Sequence, residues 1–211
     1  MNGPAADGFR ELDLHAWPML SPLLVQGGYL PWTTGSMRPA GLVAVCNEIV
    51  HGARVRIVEC GSGVSTVLLA RLLRELNAGS LIALEHDRHW AGVIQAQLQR
   101  ETLDGIARVV HAPLQGDPPW YGLDELSENP NEIDLLIVDG PPACGPGQGA
   151  RREPALAQFA QRLTANAAVI LDDVNRPGER ATIARWEAST NWRFAFDEPA
   201  GVAVGHRADR P

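Results

Sequence analysis

The chain contains no lysine: its 18 positive charges are all arginine, and no side-chain amine is present to act as a base. It also lacks any apolar run near the ~20 residues needed to cross a bilayer. The first seven residues, MNGPAAD, do not have the basic-then-apolar order of a signal peptide, so a cytoplasmic location and no membrane partner are the expectation. Cysteine is scarce, at three, an odd count without C-x-x-C spacing. That excludes a disulfide framework or a zinc site and leaves Cys46 and Cys60 as reduced packing residues. A basic face is missing too. Net charge is −7, and only Arg151 and Arg152 are adjacent among scattered arginines, which argues against a nucleic-acid partner and leaves small molecules.

What remains is ordinary globular composition, 45% hydrophobic and 20% charged over 211 residues, enough for one domain with a sizeable core. Apolar runs bounded by turn signals predict strands at 54–59, 81–85, 107–112, 133–139 and 167–172. Helical patterns fall between them at 65–76, 89–101 and 153–163, and a further helix is predicted over 177–189, opened by Pro177. Two last strands, 192–197 and 202–206, are separated by a short turn and must pair as an antiparallel hairpin. Strands rich in Val, Ile and Leu that alternate with helices form a parallel sheet covered on both faces. Residues 1–52 precede the first strand and form a helical and loop cap to the 53–211 domain. Within the cap, 38–50 reads as an amphipathic helix opened by Pro39, preceded by a turn-rich segment at 30–37.

The densest signal is the stretch 55–66, in which an apolar strand ends in Glu59, passes through Gly61-Ser62-Gly63 and restarts as a helix. Such a turn aims unpaired backbone N–H groups at a ligand, and glycine lets the ligand come close. A dinucleotide fingerprint requires a third glycine where this chain has Thr66. Glu59 would repel a pyrophosphate and would favour a cationic, sulfonium-bearing nucleoside. The second strand ends in Glu85-His86-Asp87, where an acid can hold a ribose diol. After the third strand no acid occurs before Asp117, so backbone groups of Ala112 and Leu114, or the Gln115 amide, are left for adenine. Trp120 and Tyr121 follow, as a stacking pair or as packing. The fourth and fifth strands end in Asp139 and in Asp172-Asp173. Three close carboxylates require a cation or a proton, and a hard divalent ion such as Mg²⁺ takes such ligands. Alternatively, Asp172 and Asp173 point apart, one capping a helix and one facing solvent.

Over residues 38–206 the chain resembles class I S-adenosylmethionine-dependent methyltransferases, in the branch with Glu-x-Gly-Ser-Gly-x-Ser-Thr, Glu-His-Asp, Ala-Pro-Leu, Val-Asp-Gly-Pro-Pro and Leu-Asp-Asp motifs. Here these occupy 59–66, 85–87, 112–114, 138–142 and 171–173. The resemblance implies a doubly wound, seven-stranded, mostly parallel α/β sheet of order 3-2-1-4-5-7-6 with an antiparallel last strand. It implies S-adenosylmethionine bound by Glu59, Gly61, Ser62, Gly63, Ser65, Glu85, His86, Ala112, Leu114 and Asp139. It places Asp139 at the junction with a small hydroxylated acceptor, as the residue assisting its deprotonation. Metal-dependent relatives hold Mg²⁺ at the positions of Asp139, Asp172 and Asp173. The lysine base of catechol enzymes has no counterpart, and Arg151 and Arg176 are left as anchors for an acidic or polyol acceptor. Two rival readings stand beside this one: a non-catalytic protein with the same fold, and an NAD-dependent oxidoreductase, disfavoured by Thr66, Glu59 and the hairpin. Oligomeric state, including a homodimer, stays open, since the first fifty residues could pack on a partner or on the sheet.

Overall fold

A computed structural model describes residues 4–123 and 132–208 of the chain, with side chains from residue 11. The sheet strands are β1 (Arg56–Cys60), β2 (Ser80–Glu85), β3 (Ala107–His111), β6 (Ile133–Val138), β7 (Leu163–Asp172), β8 (Trp192–Asp197) and β9 (Val202–Arg207), in the spatial order β3-β2-β1-β6-β7-β9-β8. Counted within the sheet alone, this is 3-2-1-4-5-7-6, the expected topology. β9 runs antiparallel to both β7 and β8, and the other pairings are parallel. Two short strands, β4 (Leu114–Gln115) and β5 (Trp120–Tyr121), form a separate hairpin beyond β3. It carries the described part of the predicted loop at 113–130; residues 124–130 of that loop lie outside the described residues.

Alternation along each strand divides the core in two. Ile57, Leu81, Leu135, Ile137 and Ile170 face one side, with α2 (Pro39–Gly52), α3 (Val64–Leu76) and α4 (Arg88–Arg100). Val58, Leu84, Leu136, Val138 and Leu171 face the other, with Phe159 of α5 (Pro154–Phe159) and Ile183 and Trp186 of α6 (Pro177–Ser189). Burial on both faces is why the strands read as continuous apolar runs. Each such side chain contributes about 1.5–3 kcal/mol by leaving water.

Two elements differ from expectation. The helix predicted over 153–163 stops at Phe159, because β7 begins early: Leu163 pairs with Ile133, and the register then shifts before Leu135 meets Ala168. The second difference is a long N-terminal helix, α1 (Pro4–Leu24), which contains Pro18 and Pro22. Its Ala16, Leu20 and Leu23 join the cluster of α2 and α3, so the N-terminal residues pack on their own chain. Asp13 accepts from the Ala40 amide at 3.2 Å and pairs with Arg38 at 2.8 Å, which satisfies the start of α2. At the other end of α1, the fully buried Arg71 donates to the carbonyls of Leu23 (2.8 Å), Leu24 (3.2 Å) and Gly28 (3.2 Å) and forks onto Glu101, with both contacts at 2.7 Å. Among the described residues, no helix is long and apolar enough to cross a membrane.

Candidate functional site

A cavity of about 380 Å³ opens above the carboxyl ends of β1, β2 and β6. Its floor is the turn Gly61–Val64. Its sides are Glu85, His86, Asp87 and Trp90 on one hand and Asp139, Gly140 and Pro142 on the other, with Tyr121 between. A fourth side comes from Thr33, Gly35, Ser36 and Met37, which sequence reading did not assign to the site. Thr33 and Ser36 close this segment into a turn, the Thr33 amide donating to Ser36 Oγ at 2.9 Å.

The turn is shaped from below. Gly61 has φ of 105°, a conformation natural only to glycine, and its amide donates to the Leu84 carbonyl at 2.9 Å. Gly63 has φ of 174° with open space where a side chain would be, so its backbone conformation does not demand glycine, contrary to the expectation for that position. Glu59 also departs from its expected role. It is 1% exposed and does not reach the cavity wall; Ser65 Oγ and, at 2.6 Å, Thr66 Oγ1 both donate to its carboxylate. Thr66 Oγ1 in turn accepts from the Gly63 amide at 3.0 Å. Glu59 therefore braces the turn from beneath, its charge spent on its own helix. Burial raises its pKa to about 7 against the pull of both hydroxyls.

Glu85 stands at the tip of β2 as expected. One oxygen accepts from the Ser62 amide (3.2 Å) and Ser62 Oγ (3.0 Å); the other accepts from the Asp87 amide (2.9 Å) and meets His86 Nδ1 at 2.8 Å. Burial alone would raise its pKa, but the His86 and backbone hydrogen bonds outweigh it and hold the carboxyl below its usual range. The same contact raises the pKa of His86. Asp87 caps α4 through the Trp90 amide at 2.8 Å, and Trp90 Nε1 donates to the Ser62 carbonyl at 2.9 Å, locking the ring against the turn. Ala112 is fully buried, its amide bonded to the Glu85 carbonyl at 2.7 Å, and Leu114 pairs with Tyr121. Neither lines the cavity.

The structure brings Asp139, Asp172 and Asp173 together, with ligand oxygens within 4.8 Å of one another. Asp172 and Asp173 do not point apart: Asp173 adopts φ of 63°, which folds it back toward its neighbours, and α6 starts without a side-chain cap. At their centre lies Arg152, which sequence reading missed. It is 3.0 Å from Asp173 and 3.5 Å from Asp139, and it donates to the backbone carbonyls of Asp139 (3.0 Å) and Asp172 (3.1 Å). Arg176 reaches Asp173 at 2.6 Å, and the buried Glu179 lies 4.0 Å from Arg152. Four acids thus face two guanidiniums. Burial and the charge of Asp172 push Asp139 well above its ordinary range; burial, followed by Asp173, raises Asp172 to about 6. The need for a cation among these acids was the sequence signal for Arg152, but nothing distinguished it from Arg151 or Arg176. Arg151 instead bonds the Pro142 carbonyl at 3.2 Å.

A family model described as "Methyltransferase domain" matches residues 58–174, more than half of the chain. No curated protein matches it. Among solved structures, the fold is similar to SAH-bound methyltransferase PaMTH1 of Podospora anserina, with a TM-score of 0.66 and 14% identity over 94% of this chain and 88% of that one. It is similar to an O-methyltransferase from Bacillus cereus in complex with SAH, with a TM-score of 0.63 and 16% identity over 93% and 91%. The SAM-bound O-methyltransferase TomG of Streptomyces achromogenes, involved in tomaymycin synthesis, has a TM-score of 0.58 and 16% identity over 99% and 92%.

Proposed function

The chain belongs to this methyltransferase family, and from that premise we propose that it moves the methyl group of S-adenosylmethionine to a hydroxyl of a small molecule. The carrying observation is one cavity in which a ligand-ready glycine turn, Glu85 and Asp139 converge. Its volume and its acidic sides suit a cationic nucleoside. In this reading the backbone of Gly61–Gly63 and the hydroxyls of Ser62 and Ser65 seat the amino-acid part. Glu85 takes the ribose diol, with His86 beside it. Ala112 and Leu114 support the adenine end from behind, and Glu59 acts by holding the turn rather than by touching the ligand. The neighbouring O-methyltransferase folds, two of them holding SAH or SAM, support oxygen as the accepting atom.

Transfer is an in-line displacement at the sulfonium methyl, so the protein's share is positioning and removal of the acceptor's proton. Asp139 stands where the cofactor turn meets the acid cluster and is the group we assign to that proton. A cation beside the Asp139–Asp172 pair favours their charged forms, and the sulfonium is such a cation. The three carboxylates, with oxygens within 4.8 Å of one another, also offer the ligand type that a divalent ion takes, although Arg152 already stands among them. Mg²⁺ held by Asp139, Asp172 and Asp173 would polarise an acceptor hydroxyl. Calorimetry with S-adenosylhomocysteine and NAD tests the cofactor: the first binds and the second does not. Binding of NAD alone overturns the reading. Loss of turnover in excess EDTA, restored by Mg²⁺, identifies the metal, and full activity under chelation removes it. The net negative charge supports a small-molecule acceptor over a nucleic acid.

A further inference from the structure

Tyr121, on β5, is 3% exposed and lines the cavity, and its shielded hydroxyl has no hydrogen-bond partner among the described residues. The ring is fixed edge-on against Trp120, with centroids 5.1 Å apart. The hydroxyl occupies the space that a side chain at position 140 would fill, over the Gly61 Cα and the Cys60 carbonyl. Gly140 is thus required by the tyrosine. An unpaired buried hydroxyl costs about 1–3 kcal/mol, and buried phenols almost always have a partner. Burial, reinforced by the charge of Glu85, pushes its pKa up, so the group is a neutral phenol with a proton to donate.

The sheet order fixes which part of a ligand it meets. A nucleoside lying across the strand tips places its ribose at Glu85 on β2 and its base toward β3, on the far side from β6. Tyr121 stands at the tips of β1 and β6, beside Gly61 and Gly140. We propose that the Tyr121 hydroxyl is a cofactor-binding group that hydrogen-bonds the amino-acid end of the S-adenosyl ligand. This rests on the cavity being a cofactor site. The hydroxyl is held ready by β5 and by the absence of a side chain at Gly140, and the ligand supplies the partner that the described residues do not.

The test compares the full chain with its Tyr121→Phe variant. Without ligand, removal of an unpartnered hydroxyl leaves the melting temperature unchanged or raises it. Calorimetry then shows the Kd for S-adenosylhomocysteine rising about 5–10-fold, while that for adenosine, which lacks the amino-acid end, stays constant. A lower melting temperature in the unliganded variant means that the hydroxyl serves the fold and overturns the inference. Equal S-adenosylhomocysteine affinity in the two proteins, or a matching loss for adenosine, overturns it too. Failure of the unmodified chain to bind S-adenosylhomocysteine overturns the cofactor reading instead.

Discussion

Asp139 joins two environments that pull its carboxyl in opposite directions. Behind it, burial and Asp172 favour the protonated form; beside it, Arg152 favours the charged one. In the proposed function, a sulfonium in the cavity would add to Arg152's side of the balance. Asp139→Asn keeps the shape and the hydrogen-bonding capacity but abolishes proton uptake. Turnover is expected to fall by roughly 100-fold or more, with S-adenosylhomocysteine affinity little changed, as read by steady-state assay and calorimetry. Unaltered turnover removes Asp139 from the chemistry. At this scale the sequence is informative about placement at or just beyond a strand end, as for Glu85, Ser62 and Asp139, which line one cavity. It is silent on Arg152 and on the Tyr121 hydroxyl, whose roles depend on which segments fold over the sheet.

Secondary elements were more legible than single contacts. β8, α6 and the closing hairpin follow from apolar runs, Pro177 and a short turn, because local signals and tertiary packing agree there, while the order of the sheet is what the family resemblance implies. α1 was hidden by Pro18 and Pro22, which remove backbone donors and argue against a helix interior. Its formation is tertiary in origin. Ala16, Leu20 and Leu23 are buried against α2 and α3, and Arg71 collects the carbonyls at its end. Arg71→Met strands Glu101 and those carbonyls together, at a cost of about 3–5 kcal/mol measured by urea unfolding. A loss below about 1 kcal/mol would show that α1 is held by its apolar face alone. The boundary expected near residue 52 therefore describes a change of architecture within one core, and we propose that the first 52 residues fold as a cap only with the sheet beneath them.

Across the whole molecule, buried acids set an unusual pH response. Glu59 is raised from 4.5 to about 7 and Asp172 from 3.8 to about 6, so the folded chain holds protons that the unfolded chain has released. Stability from these groups is complete below their ordinary values and is lost as pH rises through about 6 and then about 7. The depressed carboxyls, Glu85 and Glu101, act in the opposite sense, but only in more acid solution. The unliganded melting temperature is expected to climb by roughly 5 °C between about pH 8 and pH 5.5, and Glu59→Gln flattens the upper part of that rise. A melting curve that is flat or falls over this interval contradicts the assignment. The wall at Thr33–Met37 has a different consequence. It belongs to the first forty residues, whereas the floor it faces is built at Gly61 and Asp139, and it is secured to α1 through the Asp13–Arg38 pair. One side of the cavity is thereby set by residues that the sheet does not supply, so breaking the Asp13–Arg38 pair alters the cavity without touching a strand.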